Sequence, residues 1–464
     1  MLIQNAQIYQ HNQKTLHTND VRIEQGKIVE IGALSPYSNE TISDAAGGAL
    51  LPGLNDHHIH FLSYAASLAS LNCSPAATEQ TKLHTQLQQH NAVSKDWLRG
   101  YGYHESVAGE IDCSWLDQYC PTRPTRIQHR TGRLWIFNSA GLAIVKNALA
   151  HHESITINPE AFNTGRFYDS DETLATLLGK TLPPVELASE TLARYGITGF
   201  TDMTPSNNEE SFSLFENLTN ENRLLQHTNL AKRTPFSIES TLQQGPVKIH
   251  LHETQLPPLE ELVQRIKNSH AQRIPVAIHC VTEIELLFSL SALEEAQPIA
   301  GDRIEHASIT PDYLLEKIID LGLTVVTQPH FIHEKGDTYL DDIPEDQWHS
   351  LYRCNSFLQK QVPLAAGSDA PFGSADPWQA IRAAISRKTR AGKHLGQEEA
   401  LTPETALALF LGSLSQPQQP RSVCVGTTAD LCLLTYPWEQ SRDRLIKEDV
   451  RMVWRSGEII YNRS

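Results

Sequence analysis

The sequence predicts a (β/α)8 TIM barrel joined to a small β domain, an α/β fold class that three observations support. Eight short apolar segments each end in polar residues. From about residue 196 onward these segments alternate with stretches of helical periodicity, and that alternation is typical of a parallel sheet. Eight strands is the number that closes this type of barrel. The eight segments are residues 50–60, 196–202, 224–232, 247–253, 275–281, 302–307, 323–329 and 363–369.

The two ends of the chain predict the all-β part. The first fifty residues alternate short apolar strands with turns, as at Gln25 and Gly26. Near the other end, residues 429–435 and 450–462 return to strand signals. We therefore assign residues 1–50 and 416–464 to one small β domain, and residues 51–415 to the barrel.

A long insertion follows the first predicted barrel strand. About 135 residues separate His60 from Gly196, which is far more than a barrel connection needs. We interpret residues 61–190, approximately, as this insertion. Because segments that follow barrel strands lie over the substrate-binding mouth, the insertion is predicted to be a lid or specificity subdomain.

Composition and charge indicate which partners to expect. The 464 residues carry 38 Lys and Arg against 54 Asp and Glu, a formal net charge of −16. Nucleic acids and anionic membranes repel such a surface, so we expect a small-molecule substrate and neither of these partners. The first residues lack a signal-peptide pattern, and no apolar run approaches the ~20 residues of a membrane span, which predicts a cytoplasmic protein. The oligomeric state is left open, with a homo-oligomer among the alternatives.

The cysteines favour neither a disulfide framework nor a cysteine zinc site. There are seven of them, an odd number, and they are scattered without a C-x-x-C pair. We therefore expect buried free thiols. Histidine, with 21 residues, is the abundant metal-binding residue type in this chain.

Several histidines lie where predicted barrel strands end. His58 and His60 form an H-x-H pair after the first strand, and residues two apart on a strand face the same side. Other strands are closed by His279, His306 and Asp369. Imidazole nitrogens and carboxylate oxygens are the ordinary protein ligands of zinc. Since the carboxyl ends of barrel strands share one rim, their convergence predicts a metal site there.

Lys248 lies on a strand between these residues, in a register that points inward. Its ordinary interpretations are a salt bridge or a surface lysine whose ammonium reaches water. Burial lowers the pKa of a lysine, however, and a neutral amine can take up carbon dioxide to form a carbamate that bridges two metals. The sequence leaves these alternatives open.

Taken together, these segments resemble the amidohydrolase superfamily, in the YtcJ-like branch that includes N-substituted formamide deformylases. The resemblance covers nearly the whole chain, and the order and spacing of the segments are specific to the superfamily. The matching residues are 51–60, 123–139, 196–202, 247–248, 278–279, 304–307, 328–329, 367–371 and 429–431.

The resemblance implies a fold and a cofactor. The fold would be a TIM barrel beside a β-sandwich built from both termini. The cofactor would be one or two divalent ions per chain, with zinc as the expected metal and Lys248 as a carboxylated bridging ligand. The metal ligands it implies are His58, His60, Lys248, His279, His306 and Asp369.

Some neighbouring positions depart from the branch pattern. The departures are Gly132–Arg133, His252–Glu253 and Thr282–Glu283. Arg133 is as good a candidate for binding a substrate carboxylate as for a structural ion pair. His252 shares the predicted face of Lys248 with His250, which makes it a candidate for substrate contact, although packing against the strand is the simpler role.

These observations predict metal-dependent hydrolysis of a non-peptide carbon–nitrogen bond in a small amide, formamide or cyclic amide. A bound divalent metal would lower the pKa of water from about 15.7 to about 7 and would polarise the carbonyl. Asp369 would accept the proton of that water and later pass it to the leaving nitrogen.

Two alternative functions stay open. One is a deaminase that acts on an aminated heterocycle with a single metal. Deaminases of this superfamily place a glutamate three residues after the fifth-strand histidine, whereas Glu283 follows His279 by four. The other is a catalytically silent, ligand-sensing barrel, which the loss of a ligand would favour, and no ligand is missing. Hydrolysis by a nucleophilic serine is disfavoured because no G-x-S-x-G motif is present.

Overall fold

The structure is a computed structural model that describes residues 1–11, 16–75, 77–91, 96–152, 154–179 and 182–463. These residues form two compact units, of which the first is Met1–Phe61 with Ala188–Ser464 and the second is Leu62–Leu187. Residues 76, 92–95, 153 and 180–181 of the predicted insertion lie outside the described residues, as do 12–15 and 464 of the predicted β domain. None of the described helices is both long and apolar enough to cross a lipid bilayer.

The strands of the described residues number 21. In chain order they are β1 (Leu2–Ile8), β2 (His17–Glu24), β3 (Lys27–Gly32), β4 (Ile42–Asp44), β5 (Ala49–Pro52), β6 (Leu54–Ile59), β7 (Leu71–Asn72), β8 (Leu98–Tyr103), β9 (Thr125–His129), β10 (Leu134–Phe137), β11 (Arg166–Tyr168), β12 (Ile197–Asp202), β13 (His227–Lys232), β14 (Gln243–Ile249), β15 (Val276–Cys280), β16 (Arg303–His306), β17 (Thr324–Thr327), β18 (Leu364–Ala366), β19 (Leu431–Leu434), β20 (Val450–Arg455) and β21 (Glu458–Asn462).

The α-helices of the same residues number 17. In chain order they are α1 (Phe61–Leu68), α2 (Gln80–Asn91), α3 (Glu105–Ala108), α4 (Cys113–Tyr119), α5 (Ser139–Leu149), α6 (Pro159–Thr164), α7 (Asp171–Leu178), α8 (Val185–Arg194), α9 (Glu209–Asn220), α10 (Leu259–His270), α11 (Glu283–Ala296), α12 (Asp312–Asp320), α13 (Phe331–Asp342), α14 (Cys354–Gln359), α15 (Pro377–Ser386), α16 (Pro403–Ala408) and α17 (Trp438–Arg444). Short 3₁₀ helices lie at Glu253–Gln255, Glu345–Ser350, Gln397–Glu399 and Lys447–Asp449.

Eight parallel strands form the barrel and confirm the predicted fold class. Their spatial order is β6, β12, β13, β14, β15, β16, β17 and β18. The chain after β18 returns to β6, where the backbone N–H of Asp369 donates to the carbonyl of His58 at 2.7 Å. The N–H of His60 donates to the carbonyl of Ala370 at 2.9 Å. Because all eight strands are parallel, their carboxyl ends meet at one rim.

One barrel strand begins earlier than predicted. The apolar pattern placed the fourth strand at residues 247–253, whereas β14 begins at Gln243 and ends at Ile249. Gln243 pairs with Asn229 on the neighbouring strand, and this pairing extends β14 backward. His250 and His252 therefore follow the strand at its carboxyl end instead of lying within it.

Helices cover the barrel between most strands. The helices α9, α10, α11 and α12 follow β12, β14, β15 and β16, and each buries an apolar stripe. In α10, for example, the buried apolar residues are Leu262, Val263 and Ile266, which have helical spacing. The described residues 233–242 between β13 and β14 contain no helix, so this connection departs from the ideal alternation.

Both chain ends contribute to one β domain, as predicted. Its eight-stranded sheet has the order β21, β20, β19, β5, β1, β2 and β3, with β4 paired to β1. Ile3 and Val21 from the N-terminal end pack in one cluster with Leu433 and Trp454 from the C-terminal end. Burial of these apolar residues from both ends holds the two termini together.

The insertion has a sheet of its own, with the order β11, β10, β9, β8 and β7. Alternating residues on its strands bury two separate clusters. Leu98 and Ile127 belong to one cluster, and Trp135, Phe137 and Phe167 belong to the other. This pattern of two apolar faces is what a sheet covered on both sides requires. The predicted role as a lid stays a prediction.

All seven cysteines are free thiols. Six are buried, which agrees with the expectation from the sequence, while Cys424 is exposed.

Candidate metal centre

The barrel places the six predicted ligands near the carboxyl ends of its strands. His58 is in β6, Lys248 in β14, His279 in β15, and His306 ends β16. His60 directly follows β6, and Asp369 lies three residues after the end of β18. They come from separate parts of a long chain, and barrel closure gathers them at one rim.

Three of these side chains form a compact group of potential ligands. His58, His306 and Asp369 each offer one ligand atom, and the three atoms lie within 4.8 Å of one another. All three side chains are buried. Two imidazole nitrogens and a carboxylate oxygen make a donor set that suits zinc and similar divalent ions.

The remaining imidazoles adjoin this group. His60 Nε2 lies 3.2 Å from Asp369 Oδ1, and His58 Nε2 lies 3.4 Å from the same oxygen. The ring centroids of His279 and His306 are 4.5 Å apart, and those of His58 and His306 are 4.8 Å apart. The Oδ1 atom of Asp369 is therefore adjacent to two imidazoles.

Lys248 is buried beside the group, and its Nζ has no hydrogen-bond partner among the described residues. Burial lowers the pKa of this amine to about 8, and the carboxylates of Glu305 and Asp369 limit the decrease. A buried amine without a partner is costly, and a neighbouring metal or a carbamate would remove that cost. The residues present therefore fit a metal centre.

The electrostatic surroundings of three candidate ligands favour their metal-binding protonation states, whereas the carboxylates of Glu305 and Asp369 outweigh burial at His58 and raise its pKa. Burial lowers the pKa of His306 to about 3 and that of His279 well below its usual value, so both imidazoles are neutral at pH 7. Burial would raise the pKa of Asp369, but the adjacent imidazoles of His58 and His60 hold it well below its usual value. Neutral imidazoles and an ionised carboxylate are the forms that bind metals.

Sequence reasoning did not identify the residues that support the candidate ligands. Glu305 accepts a hydrogen bond at His58 Nδ1, which leaves Nε2 of that ring free for a ligand. The Oε1 atom of Gln328 lies 2.7 Å from His306 Nδ1 and orients that ring in the same way. Both residues fall in segments quoted for the family resemblance, and that was the available signal.

Two of the candidate ligands, His306 and Asp369, have an unusual backbone conformation at or just after the ends of their strands. Successive residues of a regular strand point to opposite faces. His306, at the end of β16, has φ +71°, and Asp369 has φ +52°. Non-glycine residues in this left-handed region are uncommon and concentrate at functional sites.

The two predicted substrate-binding residues lie in different units. His252 is exposed after β14, and its ring centroid lies 4.5 Å from that of His250. The centroid of His250 lies in turn 4.4 Å from that of His279. Arg133 belongs to the insertion and forms a bidentate pair with Asp169, with both N–O distances at 2.6 Å. A role in substrate binding stays a prediction for both residues.

The glutamate relevant to the deaminase alternative is hydrogen-bonded to a tyrosine on a neighbouring helix. Glu283 is the first residue of α11, and its Oε1 accepts a hydrogen bond from the Tyr313 hydroxyl at 2.5 Å.

Comparison with known proteins identifies the family. The model of the Amidohydrolase family matches residues 41–461 of the chain. The chain belongs to this family. It is therefore a hydrolase of the metal-dependent amidohydrolase superfamily, as its sequence resemblance predicted.

Curated relatives extend over nearly the full length. The chain is 21% identical to YtcJ of Bacillus subtilis (strain 168), over 96% of each chain. It is 22% identical to the N-substituted formamide deformylase of Arthrobacter pascens, over 100% of this chain and 98% of that protein. Among solved structures, an uncharacterized metal-dependent hydrolase from Pyrococcus horikoshii OT3 superposes with a TM-score of 0.75 at 20% identity, covering 94% of this chain and 97% of that one. That likeness supports the fold.

Proposed function

We propose that this member of the Amidohydrolase family hydrolyses a non-peptide carbon–nitrogen bond in a small amide, formamide or cyclic amide. The observation that carries the proposal is the buried group of His58, His306 and Asp369. Beside it lies the amine of Lys248, which has no hydrogen-bond partner among the residues described. The similarity to an N-substituted formamide deformylase supports the choice of bond.

The proposed ligands of one or two divalent ions, with zinc as the expected metal, are His58, His60, Lys248, His279, His306 and Asp369. A divalent ion held by these residues would supply a water of lowered pKa and would polarise a carbonyl. His58 and His306 are oriented for this role by Glu305 and Gln328. Lys248 serves either as a carboxylated ligand or as a neighbouring amine.

Asp369 is the proposed proton carrier. Its Oδ1 is adjacent to the Nε2 atoms of His58 and His60, and its low pKa leaves the carboxylate ionised and able to accept a proton. Amines leave poorly unless they are protonated, so the same oxygen returns the proton to the departing nitrogen. Buried surroundings strengthen these interactions, because they exclude the screening of bulk water.

The substrate is held by residues beyond the ligands. We propose His252, at the carboxyl end of β14, and Arg133, in the insertion, as substrate-binding residues. A guanidinium suits a carboxylate, and an exposed imidazole both donates and accepts hydrogen bonds.

A cytoplasmic location also remains a prediction from the sequence.

The test is a turnover screen against N-substituted formamides, N-acyl amines and hydantoins, together with the metal content of the purified protein. We expect roughly one to two ions per chain, loss of turnover after chelation, and recovery when zinc is restored. Asp369→Asn should lower kcat by about 10²–10⁴-fold, while the exposed control Asp320→Asn should not. A metal-free preparation with full activity would refute the proposal.

A further inference from the structure

Two arginines lie side by side on adjacent strands of the insertion sheet. Arg99 on β8 and Arg126 on β9 are direct partners in the parallel register of these strands. Like charges directly opposite one another destabilise a sheet. Their strand neighbours Leu98 and Ile127 point to the opposite face, where they pack in an apolar cluster. The register that buries this cluster therefore places the two guanidinium groups side by side.

Neither guanidinium has a counterion in contact among the described residues. Within the described ranges, Arg99 donates only to uncharged groups, the Ser70 hydroxyl at 3.3 Å and the Gln128 amide oxygen at 3.1 Å. The Arg126 side chain has no hydrogen bond or ion pair within the part of the chain that the structure describes, and its Nε is buried without a partner. In a chain with 16 more acidic than basic residues, carboxylates for this purpose are plentiful. Since no carboxylate of the described residues contacts the pair, the buried guanidinium donor of Arg126 keeps the free-energy cost of an unsatisfied group.

Tryptophan rings form the walls around the pair. The guanidinium carbon of Arg126 lies 5.5 Å from the ring centroid of Trp97 and 5.0 Å from that of Trp135. The guanidinium carbon of Arg99 lies 5.3 Å from the Trp135 centroid. Cation–π attraction to these rings offsets part of the repulsion between the two guanidinium groups.

The positive charges of the two arginines exceed the negative charge near them. Burial lowers the pKa of Arg99 to about 10, and repulsion from Arg126 adds to this effect. The Asp171 carboxylate, which does not contact either arginine, raises the pKa of both through its charge. Its Oδ1 accepts a hydrogen bond from the indole N–H of Trp135 at 2.8 Å. Two full cations with one nearby anion leave about one positive charge uncompensated.

We propose that Arg99 and Arg126 form a binding site for the carboxylate group of a small molecule, with Trp97 and Trp135 contacting its planar or apolar portion. A carboxylate has the single charge that the cluster lacks, and its two oxygens match the paired donors of guanidinium groups. The site lies within the insertion, and it does not depend on the proposed metal chemistry.

Calorimetric titration with benzoate tests the site in the full-length protein. We expect wild-type protein to bind benzoate and Arg126→Gln or Arg99→Gln to weaken that binding event at least about tenfold, since each removes one charged donor pair. Arg130→Gln removes an exposed arginine just after β9 and should leave binding unchanged. Benzoate bound at the metal centre would persist in all three variants, so the two sites are distinguishable.

The outcomes that overturn the proposal are specific. One is the absence of benzoate binding to wild-type protein at millimolar concentration, and another is equal binding by Arg126→Gln. Tighter binding of inorganic phosphate than of benzoate would refute the carboxylate assignment. Near-UV circular dichroism verifies the fold of each variant. If Arg126→Gln does not fold, Arg126→Lys keeps the charge without the planar donor pair and should weaken binding about tenfold; undiminished affinity there would refute the site.

Discussion

Replacing Glu305 with glutamine tests how the candidate metal centre is held in place. Glu305 is fully buried, and its carboxylate contacts His58 Nδ1 and the guanidinium of Arg303. Burial opposes ionisation of this group, but Arg303 and His58 hold its pKa well below the usual value. Glutamine has nearly the same size, so Glu305→Gln removes the charge without creating a cavity.

Two effects of this substitution can be estimated. Removing one partner of a buried ion pair costs about 3–5 kcal/mol, and we expect the lower end because the amide oxygen still accepts a hydrogen bond. Losing the carboxylate that orients a ligating histidine costs about 10–100-fold in metal affinity. That range corresponds to about 1.4–2.7 kcal/mol.

Denaturant unfolding of the metal-free protein measures the first effect, and metal titration against a competing chelator measures the second. Glu295→Gln, an exposed position on α11, is the matched control and should change neither. If Glu305→Gln bound metal and unfolded as wild type does, Glu305 would not orient His58, and the reasoning about the centre would be wrong.

Two further predictions address the lysine and the buried tyrosine network. Lys248→Ala should lower the bound metal by about half if the lysine bridges two ions, whereas unchanged occupancy and turnover would leave Lys248 with a structural role. Burial raises the pKa of Tyr352 to about 12, so its neutral phenol stabilises the fold fully below pH 10, and this contribution is lost as the pH rises through 12. Tyr352→Phe should therefore cost about 1 kcal/mol at pH 8, through lost hydrogen bonds with Ser308 and Tyr339, and the deficit should shrink above pH 10 in urea unfolding; a constant deficit would contradict this assignment.

Local sequence patterns were sufficient for the architecture. Apolar runs that alternate with helical periodicity predicted eight parallel strands because strand and helix periods are properties of neighbouring residues. The same patterns placed His58, His279 and Asp369 at strand ends. The position of a side chain along a strand therefore follows from the chain itself, and it needs no knowledge of the neighbouring strands.

Contacts between distant segments could not be predicted from local sequence patterns. Glu305 supports His58 across 247 positions of sequence, and no local pattern records that pairing. The early start of β14 depends on pairing between Gln243 and Asn229, which a hydropathy pattern does not contain. The pairing of Arg99 with Arg126 could not be predicted either. Strand register depends on two segments at once, and it is determined by the apolar residues that both segments bury.

Residue types and spacing therefore established the class of fold, the family and the ligand candidates of this protein. Which atoms approach one another, which amine is left without a partner, and which charges face each other emerged only after the barrel and the insertion sheet were assembled. The physical reason is that periodicity is encoded along the chain, whereas distance, burial and electrostatic interaction arise between segments that packing brings together.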